Sequence, residues 1–207
     1  MGSRYPQPKR LPGDLWEAVR HAQQSVIDAE VRTSRRAIFG RFRERLRTDP
    51  ATLAADDFLA LADPSTVRSA IVFAAQHLAH ADACDLQGYD AATATLRITE
   101  HRGFAAAFLE YFAAVDTGVP SACGVALATR EPAFVDDVRT SPVFAGHHTR
   151  TVLLRAGSRA VQSYPLLAED GAVLGMLSLH FRTPGRHDRH PVLARAAAHA
   201  IAQLGTH

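Results

Sequence analysis

The stretch AGSRAVQSYPLLAEDGAVLGMLSLHF (Ala156–Phe181) decides the fold. Two strand-like runs, Arg159–Leu167 and Val173–Phe181, flank the turn Glu169-Asp170-Gly171, which is the pattern of an antiparallel hairpin. Alternate strand residues face opposite sides, so Leu177 and Leu179 share one face while Met176, Ser178 and His180 share the other. In the partner run Val161 and Ser163 alternate with Ala160, Gln162 and Tyr164. The aliphatic Leu177/Leu179 face suits packing against helices. The mixed face suits the lining of a cavity.

Working outward, Pro184–Arg189 reads as a loop and His190–Leu204 as an Ala-rich closing helix. Upstream, Pro132–Val138 is a strand and Phe104 to Val115 has helical spacing (Phe104, Phe108, Leu109, Phe112). Cys84–Tyr89 and Thr93–Thr99 are short strands about the turn Asp90-Ala91-Ala92. Asp63-Pro64-Ser65 starts a helix with Pro in its first turn, running to about Ala81 with Val67, Ala70, Ile71, Ala74, Ala75 and Leu78 inward. Residues 52–62 read as a short helix. From Asp14 to about Arg47 there is no Pro, and Val19, Val26, Ile27, Val31, Ile38, Phe39, Phe42 and Leu46 mark one helical stripe that Asp49-Pro50 ends. Met1–Gly13, with three prolines, reads as a flexible leader. The order argues for an α+β sandwich, an antiparallel sheet with helices on both faces. There is no strand followed by G-x-G-x-x-G and no P-loop, which excludes a parallel dinucleotide fold.

The 207 residues are 47% hydrophobic and 21% charged, a globular composition with a mean hydropathy of −0.08. No apolar run approaches the length of a membrane span, and the start does not resemble a signal peptide, so a cytoplasmic location is expected. Two cysteines, Cys84 and Cys123, are too few for a secreted disulfide scaffold. The net charge of +2 does not by itself call for a nucleic-acid partner. Of 23 basic residues 22 are Arg, and Ala fills 38 positions, the bias of a GC-rich genome. Residues 1–62 carry 11 basic and 8 acidic residues, residues 63–207 carry 12 and 13. That shift divides the chain into a leader (1–13), a helical extension (14–62) and a main domain (63–207).

The pieces LRITEHRGF (Leu96–Phe104), FLEYF (Phe108–Phe112), SACGVALATREPAFVDDVRTSPVFAG (Ser121–Gly146) and the hairpin itself resemble, in that order, the GAF domains of bacterial signalling proteins. With flanking helices the likeness covers about residues 64–204. It implies a six-stranded antiparallel sheet, one face against the first and last helices and the other forming a pocket under the middle helices and loops. It also implies small-molecule binding or dimer contacts. The face alternation supplies Val161, Ser163, Met176, Ser178 and His180 as pocket residues, and the resemblance closes Phe104, Phe108, Cys123 and Phe144 over them.

One enzyme group in the family, the free methionine sulfoxide reductases, has a nucleophilic cysteine in a Cys-Gly motif that matches Cys123-Gly124. A thiol enzyme needs a low thiol pKa and a partner thiol. Cys84 is the only other thiol, and it lies further from Cys123 than the reductases' resolving cysteine does. The acidic positions that hold their substrate align with Val161, Ser178 and His180, so those carboxylates are missing. Asp136-Asp137 cannot act as a pair, because consecutive strand residues face opposite ways. No G-x-S-x-G, H-E-x-x-H or C-x-x-C motif is present.

Eleven histidines invite a metal reading, yet the pairs His77/His80 and His187/His190 lack a third ligand. Some GAF sensors hold haem through a pocket histidine, which makes His148 and His180 the axial-ligand candidates. No cofactor is specified by the residues. The cyclic-nucleotide signature and a pigment-bearing roof cysteine are both absent. Seven arginines crowd into residues 32–47, opposed only by Glu44. The aromatics among them, Phe39 and Phe42, belong to the apolar stripe and not to a base-stacking face, and the seam beneath (Val31, Ile38, Phe42, Leu46) favours helix packing in a homodimer over nucleic acid. The expectation is a stand-alone, non-catalytic, cytoplasmic GAF-type sensor. It would be dimeric, take an unidentified small-molecule ligand and serve a signalling partner. A Cys123 thiol enzyme and a haem sensor are the alternatives.

Overall fold

A computed structural model describes residues 13–204. The leader expected over Met1–Gly13 therefore lies, but for Gly13, outside the described residues. The hairpin forms as read: β4 (Ala160–Leu167) pairs antiparallel with β5 (Val173–Phe181), with Ser163 opposite Ser178 and Val161 opposite His180. On the far side of β5 lies β1 (Ala83–Asp90), which in turn pairs with β2 (Thr95–Arg102). The short β3 (Ala133–Val135) completes the sheet order β2-β1-β5-β4-β3.

Among the described residues the sheet has five strands rather than the expected six. What remains of a further strand is one bridge, in which Leu96 and Val115 exchange backbone hydrogen bonds of 2.7 and 2.9 Å. Asp116, Gly118 and Pro120 turn the chain immediately afterwards, so the ladder cannot propagate. The same bridge shortens the helix expected over 104–115. Val115 is drawn to β2, and only α4 (Ala106–Tyr111) is helical, without a side-chain cap at its start.

One face of the sheet, here the helix face, carries Cys84, Leu86, Tyr164, Leu166, Leu177 and Leu179 into a core with α3 (Pro64–Leu78), α7 (Pro191–Leu204) and the end of α1 (Gly13–Thr48). The aliphatic Leu177/Leu179 face thus meets the terminal helices as its pattern requires. Along α1 the apolar stripe divides: Val19, Val26, Ile27 and Val31 are exposed, whereas Phe42 and Leu46 are buried. A 3-10 turn (Pro50–Ala54) and the single-turn α2 (Asp56–Leu59) replace the helix expected over 52–62, and they place Leu53 and Phe58 in the same core. Asp63 joins the layers by capping α3 through Thr66 N (2.7 Å) and pairing with Arg35 of α1 (2.6 Å). Partial burial works to raise the Asp63 pKa, but these contacts outweigh it and hold the carboxyl below its usual range. At the other end, Tyr164 and Gln162 fasten the approach to α7. Tyr164 OH donates to Gln162 Oε1 and accepts from His190 N, while Gln162 Nε2 donates to the His187 and Asp188 carbonyls.

β1 and β5 approach closely where Gly88 faces Gly175. A Cβ on Gly175 would sit 2.2 Å from the Gln87 carbonyl oxygen, so Gly175→Ala must push two central strands apart. We expect this change to cost more than about 2 kcal/mol in urea unfolding. Gly40→Ala, at a helical position with nothing within 4 Å, is expected to add about 0.5–1 kcal/mol.

Candidate ligand-binding site

The opposite face of the sheet, here the cavity face, is polar at its centre. Asp85 and Gln87 on β1, Ser163 on β4 and Ser178 and His180 on β5 are all buried there. They satisfy one another in sequence. The two serine hydroxyls lie 2.9 Å apart, Gln87 Nε2 donates to Asp85 Oδ1 (2.8 Å), and His180 Nε2 lies 3.3 Å from Asp85 Oδ2. His180 Nδ1 meets the Ser158 hydroxyl at 3.0 Å. One atom is left over: Gln87 Oε1 is buried without a hydrogen-bond partner. An unpaired buried carbonyl costs about 1–3 kcal/mol.

The roof is aromatic. Phe104 and Phe108 stack at 3.8 Å, Phe108 packs on Phe112 at 4.6 Å, and both Phe104 and Phe108 stand perpendicular to the His180 ring, with centroids at 4.8 and 5.6 Å. Phe144, from the 3-10 turn Pro142–Phe144, and Leu153, from α6 (His148–Arg155), close the rest. Beneath them lies an internal void of about 20 Å³, lined by the polar group, Phe108, Phe112, Cys123, Phe144 and Val161. A space of that size accommodates about one water. Outside the roof, a groove of about 380 Å³ runs between α4 and α6, and Phe108 lines it too.

Of the residues expected from sequence, Phe108, Cys123, Phe144, Val161, Ser163, Ser178 and His180 line the void. Met176 is buried in the adjoining apolar cluster, and Phe104 covers Phe108 from outside. His148 is placed elsewhere: it is exposed at the start of α6, 5.6 Å from the Tyr111 ring, and faces the outer groove. The cavity does not suit haem as it stands: both His180 ring nitrogens have partners, the void is far too small for a macrocycle, and His148 lies outside it. Among the described residues no group of three or more His, Cys, Asp or Glu could hold a metal ion. Asp85 and Gln87 were not anticipated, although their alternation with Cys84 and Leu86 along β1 places them on this face.

Cys123 sits in the first turn of α5 (Ala122–Thr129). Ser121 caps that helix, its hydroxyl accepting from Gly124 N (3.0 Å) and from the Cys123 thiol (3.3 Å). Gly124 is needed for this approach, because a Cβ there would lie 2.5 Å from the Val119 carbonyl oxygen. Burial pushes the Cys123 pKa up to about 11, and the nearby Asp85 charge adds to that rise against the hydrogen bonds from Ser121 and Gln87. Cys84 is on the helix face with its thiol directed to the Val72 carbonyl (3.3 Å), and burial raises its pKa to about 12. The sheet separates the two thiols, so they cannot pair within one chain without unfolding. Asp137 fixes a loop. Arg159 and the Arg139 N–H hold its carboxylate at 3.0 and 2.9 Å and lower its pKa.

The family model for the GAF domain matches residues 63–204, so the chain belongs to the GAF domain family. Solved structures share the fold at low identity. The GAF domain of a phosphoenolpyruvate-protein phosphotransferase from Coxiella burnetii is 15% identical with a TM-score of 0.57, over 84% of this chain and 96% of that one. The protein designated fRMsr from Staphylococcus aureus, in its reduced form, is 18% identical with a TM-score of 0.56, over 78% and 94%. A type II free methionine-R-sulfoxide reductase from Thermoplasma acidophilum is 13% identical with a TM-score of 0.51, over 66% and 93%. No curated protein matched the sequence. No helix among the described residues is long and apolar enough to cross a membrane.

Both thiols should resist alkylation by iodoacetamide at pH 8 in the folded protein and react fully in denaturant, because a buried thiol with so high a pKa presents almost no thiolate. Mass spectrometry of the labelled chain reads this directly. Rapid native labelling of Cys123 would contradict it.

Proposed function

We propose that the protein is a small-molecule-sensing regulator without catalytic activity, acting through the cavity face of its sheet. The observation that carries this reading is the buried acceptor group around the void: the Asp85 carboxylate and the unpartnered Gln87 Oε1, beneath an aromatic roof whose helix α4 begins without a side-chain cap. A solid core has no use for such a group, since an apolar replacement would remove the cost of the orphaned carbonyl. The acceptors favour a small ligand rich in N–H or O–H donors. Phe108 lines both the void and the outer groove, so its rotation would join the two spaces and admit such a ligand. Binding that holds α4 and α6 apart would shift the population of roof conformations. The 14–62 extension would relay the shift, with the exposed stripe Val19, Val26, Ile27 and Val31 meeting its twin in a homodimer or a signalling partner.

Phe108→Ala is expected to cost about 3–5 kcal/mol in stability, by removal of a buried ring from the roof. A thermal-shift screen of small amines, amino acids and polyols should find a ligand that raises the melting midpoint of the parent protein by more than about 2 °C. The same compound should leave Asp85→Asn unmoved. No active compound, or a shift that survives in Asp85→Asn, would refute the reading.

The fold shared with methionine sulfoxide reductases keeps one alternative testable. With free methionine sulfoxide and dithiothreitol, the parent protein and Cys123→Ser should both turn over at the rate of the protein-free blank. A Cys123-dependent rate would instead assign a thiol enzyme.

A further inference from the structure

A second site lies on the other side of the sheet. Between the later half of α1, α3 and the end of β2 runs a groove of about 860 Å³. Six cationic or ionisable basic side chains line it: Arg35, Arg36 and Arg43 from α1, His77 from α3, His80 just beyond it, and Arg102 from β2. No carboxylate is among the lining residues. The nearest acids are engaged at the margins, Asp63 with Arg35 and Glu100 as acceptor for the Ser69 hydroxyl. Among the described residues Arg36 and Arg43 have no carboxylate partner, and Arg102 makes only a 3.4 Å contact with Gln76 Oε1.

Two features gather this charge. A β-bulge between β1 and β2 shifts the register at Leu86/Gln87, pairing Glu100 with Leu86 and Arg102 with Cys84. Without it Arg102 would point to the cavity face; with it the guanidinium reaches the groove, 5.3 Å from the Phe73 ring. Arg43 also stands over that ring, at 5.8 Å, so the cations are positioned by an aromatic surface rather than neutralised by acids.

We infer that this groove binds a small anion carrying two or more linked phosphates, such as a nucleoside polyphosphate or an inorganic condensed phosphate. Guanidinium forks match phosphate oxygens in pairs, and several convergent arginines without counter-charges are stabilised when such an anion fills the space between them. The volume falls in the range of small-molecule sites. Nucleic acid fits less well, because Phe73 is only 2% exposed and the half-buried Phe39 packs edge-to-face with it at 4.9 Å, which leaves no open aromatic face for a run of stacked bases. The site is separate from the cavity described above, and neither depends on the other.

Isothermal titration calorimetry of the full chain with sodium tripolyphosphate and with ATP tests the inference. The parent protein should bind both, with the affinity falling about tenfold or more between about 50 and 200 mM salt. ATP binding equal to tripolyphosphate would identify the phosphate chain alone as the recognised group, and tighter ATP binding would add the nucleoside. Orthophosphate should bind at least about tenfold more weakly. The exposed pair Arg36→Gln/Arg43→Gln should keep the parent circular dichroism spectrum and lose about tenfold or more in affinity, as should Arg102→Gln alone. Absence of binding, equal binding by the variants, or tighter binding of a 20-nucleotide single strand than of either phosphate would overturn it.

Discussion

The strict alternation of side chains along β1, β5 and β4 is the constraint on which the rest of the molecule depends. Because neighbouring residues on a strand must diverge, Leu177 and Leu179 go to the terminal helices while Ser178 and His180 go to the opposite side. The antiparallel ladder multiplies this choice by setting Ser163 against Ser178 and Asp85 against Ser178 from the two flanks. A slip of one residue would turn Asp85 and Gln87 of β1, Ser163 of β4, or Ser178 and His180 of β5 against α3 and α7, and send that strand's apolar side chains to the polar group. The tight approach of Gly88 and Gly175 permits this register, and the Tyr164–Gln162 network ties it to the start of α7.

That alternation is also what made the centre of the fold legible in the sequence. The hairpin, both terminal helices and seven of the cavity's lining residues follow from period-two and helical spacing, together with a family likeness. The elements that escaped did so for local reasons. Ala122–Thr129 is helical, but ACGVALAT is apolar nearly all round and shows no stripe to betray a helix. The helix expected over 104–115 has the right spacing, yet it ends at Tyr111 and Val115 pairs with Leu96 of β2 instead. Asp85 and Gln87 obey the same alternation as their neighbours, but a carboxylate and an amide on a short strand carry no sign in the sequence that they are buried. His148 is adjacent in sequence to the roof, and only the path of α6 shows that it points outward.

The bulge opposite Leu86 and Gln87 was the least legible feature, since Thr99 fits a regular strand. Its effect is to reverse which face the last three residues of β2 present. Glu100 and Arg102 consequently belong to the α1/α3 side, whereas Leu96 and Ile98 belong to the cavity side. One strand thereby serves both layers. The arginine-rich segment of α1, ambiguous as a string of charges, resolves into residues with different neighbours: Arg35 faces Asp63, Arg45 faces Asp57, and Arg43 stands over Phe73.

The lone Leu96–Val115 bridge bears on how copies of this chain behave at high concentration. Among the described residues it is the only backbone pairing on the outer side of β2, so most of that strand's margin resembles an unfinished ladder. Open margins recruit foreign strands and seed cross-β fibres unless something spoils their flatness. Here the bulge twists the rim, and Arg97, Glu100 and Arg102 string charge along it. The same irregularity that redirects Arg102 therefore also guards the sheet against sticking to itself.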